Sequence, residues 1–98
     1  MTAYLVAAID VQDEAGYAPY RDAVPALVAA HGGRYLVRGG AMTVQEGNWP
    51  GARTVVMAFP DRAAAEAFYA SADYQAIIGV RRAASTGSVI IVDGIAGP

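Results

Sequence analysis

A chain of 98 residues with 55% hydrophobic and 16% charged residues has material for one buried core and is too apolar to stay disordered. Asp, Arg, Gly and Pro interrupt every apolar run before it reaches the length of a membrane span, and the absence of cysteine excludes disulfides, thiolate nucleophiles, iron–sulfur clusters and most structural zinc sites. The net charge is -2, and the seven basic residues, all arginine, are scattered rather than gathered into the stripe that tracks nucleic acid.

The opening Met1-Thr2-Ala3-Tyr4-Leu5 has no basic segment and no cleavage-like site after an apolar run, so no secretory signal is expected and a cytoplasmic location follows as the default. Arginine without lysine, beside abundant Ala and Gly, fits the coding bias of a GC-rich bacterial genome.

Ala3 to Val11 is an apolar run of strand length without polar alternation, as expected of a strand buried on both faces. From Asp13 the period changes. Tyr17, Tyr20, Val24, Leu27, Val28 and His31 recur at helical spacing, with Asp13 as N-cap and Gly32-Gly33 as the stop. Pro19 and Pro25 lie inside this helix, and Pro25 must leave the carbonyl of Arg21 without its helical partner and kink the helix. Gly33 to Arg38 reads as a second strand and Arg53 to Phe59 as a third. The connection between them, residues 39–52, is long enough to be a lid or an interface arm. Asp61 caps a second helix with Phe68 and Tyr69 on its core face, and Ser71 caps a third, on which Tyr74, Ile77, Ile78 and Arg81 share one side. Ser88 to Asp93 reads as the last strand.

The order is βαββαβ with an accessory helix before the last strand, an α+β fold of the ferredoxin-like kind with a four-stranded antiparallel sheet, predicted to occupy residues 1–98 as a single domain. Strands one, three and four are apolar on both faces, yet helices on one side cover only one face of the sheet. The uncovered face predicts a homodimer joined through the sheet by a two-fold axis.

The string His31-Gly32-Gly33-Arg34-Tyr35-Leu36-Val37-Arg38-Gly39-Gly40, followed by Glu46-Gly47-Asn48-Trp49-Pro50, Phe59-Pro60, Ser71-Ala72-Asp73-Tyr74-Gln75, Arg81 and Asp93-Gly94, resembles the bacterial family known as domain of unknown function 1330. The resemblance spans essentially the whole chain. It implies the dimeric α/β-barrel superfamily, in which two such sheets face each other. Relatives there include cofactor-independent monooxygenases, muconolactone isomerases, polyketide cyclases and haem enzymes, so the fold does not select a reaction. The chain has Ala72 and Asp73 where the family usually has Pro and Glu, a change at the start of a helix.

Tyr74 and Arg81 are the leading catalytic candidates. Helical spacing puts phenol and guanidinium on one face, about 10 Å apart along the axis. Arg81 then holds a carboxylate or enolate oxygen while Tyr74 transfers a proton or orients the substrate; the competing reading has Tyr74 packing and Arg81 paired with a carboxylate. Arg38, next to a glycine pair, is a second anion ligand or an edge-strand charge paired with Glu46. His31 is a general base or a cap on the end of the first helix. Trp49 seals a pocket or an interface, and Tyr17, Tyr20 and Tyr35 pack in the core, or two of them line a cavity between helix and sheet. No metal site is expected, because a single histidine and scattered carboxylates offer no ligand set. No cofactor is expected either, because the glycine pairs lack the context that cradles phosphates.

These readings predict a cofactor-independent enzyme of isomerase, cyclase or monooxygenase type, acting on a small anionic or enolisable ligand and binding neither nucleic acid nor membrane. The alternative is a non-catalytic dimeric metabolite-binding or assembly module, which predicts no apolar cavity of roughly 300 Å³ beneath the first helix.

Overall fold

The computed structural model describes residues 1–96. In chain order the elements are β1 (Ala3–Val11), α1 (Glu14–Ala30), β2 (Arg34–Arg38), β3 (Arg53–Phe59), α2 (Arg62–Ala70), α3 (Ala72–Ala84) and β4 (Ser85–Asp93). The strands form an antiparallel sheet in the order β2-β3-β1-β4, and the helices lie on one face of it. Among the described residues no helix is long and apolar enough to cross a membrane.

Local chemistry sets the helix limits. The Asp13 carboxylate accepts from Gly16 N at 3.0 Å, and Asp61 accepts from Ala64 N at 2.8 Å, each satisfying an amide that has no partner inside the helix. Ser71 ends one helix and starts the next. Its hydroxyl donates to Phe68 O at 2.8 Å and accepts from Tyr74 N at 3.2 Å. α1 stops where Gly32 turns to φ 74°, a conformation glycine adopts without penalty. At Gly33 a Cβ would lie 2.6 Å from the Phe59 ring, so the chain can turn into β2 only with a bare Cα there.

One expectation from the sequence needs correction. β4 starts at Ser85, not Ser88: Ser85, Thr86 and Gly87 pair with Val11, Asp10 and Ile9. Their composition has weak strand propensity, and the β1 ladder overrides it. α1 passes through Pro19 and Pro25 as one continuous helix. The carbonyl of Arg21 that Pro25 leaves free accepts from the Arg38 guanidinium at 2.6 Å, so a tertiary hydrogen bond replaces the helical one.

The two faces of the sheet differ. Leu5, Ala7, Ile9, Val55, Met57 and Phe59 are buried beneath Tyr17, Tyr20, Val24, Val28, Phe68, Tyr74 and Ile78 of the helices. On the opposite face, pairing aligns Val37, Val56, Val6 and Ile90 in one row across all strands, and Ala58, Tyr4 and Val92 in the next. Ile90 is 56% and Val92 44% exposed.

Candidate functional site

The cavity between α1, α3 and the helix-facing side of the sheet collects most of the polar side chains of the interior. α1 turns Tyr17, Tyr20 and Arg21 into it, β2 contributes Tyr35 and Arg38, β3 contributes Arg53, and α3 contributes Tyr74 and Arg81. The remaining walls are apolar, among them Leu5, Ala7, Ile9, Val55 and Val89. The cavity measures ≈ 30 Å³, room for about one or two waters, and is well below the roughly 300 Å³ of a preformed small-molecule pocket. A more open depression lined by Asp10, Glu14 and Gly39 adjoins it, sharing Ile9, Tyr17, Arg21 and Arg53 as common walls.

At the helix side of the cavity the hydroxyls of Tyr20 and Tyr74 are 2.7 Å apart. Burial pushes both phenols above their ordinary range, because a phenolate is poorly solvated there. The hydrogen bond between them acts in opposite directions, raising Tyr20 and lowering Tyr74. Either hydroxyl can be the donor of this hydrogen bond. Burial also raises Tyr35.

Arg81 is 7% exposed, and its guanidinium carbon lies 5.9 Å from the Tyr20 ring centroid. Its Nε has no hydrogen-bond partner among the described residues. The ion pairs found among those residues join Arg21 to Asp22 and Arg62 to Glu66 and Asp93, so Arg81 has no carboxylate counter-ion. A buried cation in that state is costly unless a partner arrives. Arg53 is similar: its Nε is buried without a partner, and its guanidinium carbon stands 5.9 Å from the Tyr17 ring centroid.

Arg38 reaches the cavity because β2 is irregular. Tyr35 pairs with Met57, Val37 with Val56 and Arg38 with Val55, with a register shift between Tyr35 and Val37. Strict alternation would put positions 35 and 38 on opposite faces; the extra residue brings both to the helix side. The Arg38 guanidinium carbon then sits 4.9 Å from the Tyr35 ring centroid while a nitrogen donates to Arg21 O, rather than pairing with Glu46.

The structure thus brings Tyr17, Tyr20, Arg38, Tyr74 and Arg81 to one cavity and places His31 and Trp49 elsewhere. The Nδ1 of His31 lies 3.0 Å from the carbonyl oxygen of Leu27, and the ring packs edge-on against Phe68, which satisfies a last-turn carbonyl of α1. Trp49 donates its indole N–H to Thr54 Oγ1 at 3.0 Å, and Thr54 donates to Met42 Sδ. Arg21 and Arg53 were missed as site residues by reading the sequence, whereas Tyr35 was read with Tyr17 and Tyr20 as core or cavity wall. Arg53 shares the parity of Val55 and Met57, and Arg21 follows Tyr17 by one helical turn, so inward orientation was legible for both. Among the described residues no group of three or more His, Cys, Asp or Glu side chains comes together, and the guanidinium-rich lining suits an anion rather than a metal ion.

Fold and site together define a ferredoxin-like α+β protein with an arginine- and tyrosine-lined cavity under its helices. The chain belongs to the domain of unknown function family DUF1330, whose model matches residues 2–95. No curated protein matches it in sequence. Among solved structures it is similar to a protein of unknown function from Rhodopseudomonas palustris, at TM-score 0.73 and 14% identity over 98% of this chain and 84% of the other. It is also similar to SnoaB, a cofactor-independent oxygenase from Streptomyces nogalater, at TM-score 0.62 and 15% identity over 98% and 95% of the two chains. An antibiotic biosynthesis monooxygenase matches at TM-score 0.57 and 17% identity over 98% and 100%. At such identities the likeness is one of fold.

Proposed function

We propose that this protein is a cofactor-independent enzyme acting on a small anionic or enolisable molecule in the cavity beneath α1 and α3, and that it works as a homodimer through the open sheet face. The observation that carries the site is Arg81, buried without a counter-ion beside the Tyr20–Tyr74 hydroxyl pair. A carboxylate or enolate oxygen in the cavity supplies the missing charge and accepts from the guanidinium, and a phenol of the pair donates a further hydrogen bond. Arg38 and Arg53 add cationic groups. The side chain of Arg21 is 41% exposed and Arg38 is exposed, so both stand at the solvent side of the cavity. The oxygenase and monooxygenase among the structural neighbours support an isomerase, cyclase or monooxygenase type of reaction by fold analogy alone.

A second reading, a non-catalytic metabolite-binding or assembly module, is favoured by the small size of the cavity, ≈ 30 Å³. Native mass spectrometry on protein purified gently from a bacterial host separates the two. The enzyme reading expects a dimer carrying a discrete extra mass that Tyr74→Phe and Arg81→Ala remove without dissociating the dimer. An empty dimer that binds no organic acid supports the assembly module, and a stable monomer removes the homodimer.

A further inference from the structure

Beyond its positive charge, the site has a chemical bias. Among the described residues, the ionisable groups lining the cavity are four guanidinium groups and four phenols, and none is a carboxylate or an imidazole. From α1 come Tyr17, Tyr20 and Arg21, from β2 and β3 Tyr35, Arg38 and Arg53, and from α3 Tyr74 and Arg81; β1 and β4 present only apolar side chains. The nearby acids are engaged elsewhere. Asp10 accepts from Ala52 N at 2.7 Å, Asp13 caps α1 and Asp22 pairs with Arg21. Glu14 is exposed and lines the outer depression rather than the cavity. Every group that reaches the interior either donates hydrogen bonds or carries positive charge at neutral pH, since burial keeps the Tyr20 and Tyr74 phenols protonated.

A site of this kind stabilises negative charge but has no group with which to create it. We infer that the cavity takes its ligand as a preformed anion, an organic acid with an apolar body that ionises in solution near neutral pH, and that no side chain of the site removes a proton from it. This rests on the reading of the cavity as the ligand site. The ligand class is then a carboxylate or an acidic phenol or enol. A ketone or alcohol that needs a protein base is excluded. The anionic oxygen sits against Arg81 and the phenol pair, and since the cavity of ≈ 30 Å³ holds only about one or two waters, the body reaches Leu5, Ala7 and Val55 of the sheet only with displacement of the lining side chains. Any reaction begins from the ligand's own anion.

Matched phenols test the inference, because phenolate absorbance reports which form is bound. Para-nitrophenol, the less acidic para-cyanophenol and the non-ionising para-nitroanisole are titrated into the full-length protein across a range of pH. The expected result is that both phenols bind as phenolates, that affinity falls about tenfold per pH unit below each probe's own pKa as the ionised fraction falls, and that the anisole binds at least about tenfold more weakly. The midpoint moves with the probe. Arg81→Met, which fills the volume without charge, loses the preference for the phenolate, and Arg81→Lys keeps part of it; far-UV circular dichroism checks that both variants fold. Equal binding of anisole and phenolate, or one midpoint common to both phenols, overturns the inference and leaves the cavity a ligand site. No binding by any of the three overturns the reading it rests on as well.

Discussion

Burial of the Tyr20–Tyr74 hydroxyl pair and of the Tyr35 phenol makes single side chains here sensitive to pH. Tyr20, Tyr35 and Tyr74 all titrate above the ordinary 10.0, so the folded state holds protons that the unfolded chain releases there. Their contribution to stability is complete below 10.0 and is lost as pH rises above it. Urea denaturation midpoints should therefore fall through the alkaline range, and Tyr20→Phe should flatten that fall while itself costing about 1–3 kcal/mol at neutral pH by stranding the Tyr74 hydroxyl. A slope unchanged by the substitution removes Tyr20 from the account. A second residue-scale prediction concerns Arg38, which donates to the Arg21 carbonyl because Pro25 has no N–H to give it. In Pro25→Ala the helical bond re-forms and Arg38 loses this partner. Arg38→Ala should cost about 0.5–1.5 kcal/mol more in the native background than in Pro25→Ala, where only its stacking on Tyr35 remains to be lost, read as a coupling energy in a double-mutant cycle.

At the level of elements, the segment between β2 and β3 is the feature whose role the sequence left open between lid and interface arm. Its return is pinned at Gly51, where a Cβ would stand 2.4 Å from the backbone nitrogen of Ile9, and at Ala52, whose amide donates to Asp10. Gly51→Ala forces β1 and the arm apart and should destabilise by about 1–3 kcal/mol in chemical denaturation; a neutral effect would mean that the arm moves freely. Along the segment, Trp49 bonds Thr54, which pairs with Ala8 on the open face of the sheet. Met42, Val44 and Trp49 are 42%, 49% and 48% exposed. This placement beside the open sheet face supports an interface arm over a lid across the cavity. Ser71 shows the opposite situation, a purely local device. One hydroxyl closes α2 and opens α3, and so sets the start of the helix that carries Tyr74 and Arg81.

For the molecule as a whole, the open sheet face presents apolar side chains without a covering layer, with Val37, Val56, Val6 and Ile90 aligned across it. In the homodimer proposed above, a second copy related by a two-fold axis would cover it with the same apolar rows. Ile90→Asp should convert a dimer to a folded monomer in sedimentation velocity at micromolar concentration, because each interface would then bury two unpaired carboxylates. A native chain that sediments as a monomer would contradict the assembly at once. The cavity lies on the other side of the sheet, so loss of the dimer should weaken ligand binding less than loss of Arg81.

What the sequence by itself determined is what local physics controls. The alternation of periods marked β1, α1, β3, α2 and α3, the side-chain caps at Asp13, Asp61 and Ser71 fell where short polar residues precede apolar helical spacing, and the doubly apolar strands implied one uncovered face. The spacing of Tyr74 and Arg81 put them on one side of α3 for the same reason. Tertiary structure alone decided the rest. The first residues of β4 are strand only because β1 pairs with them. Arg38 points inward because β2 slips by one residue against β3, and it is held by a carbonyl that a proline left free. Tyr20 and Tyr74, 54 residues apart in sequence, share a hydrogen bond because two helices pack over one sheet. Such contacts follow from how the layers close on each other, which no periodicity along a single chain records.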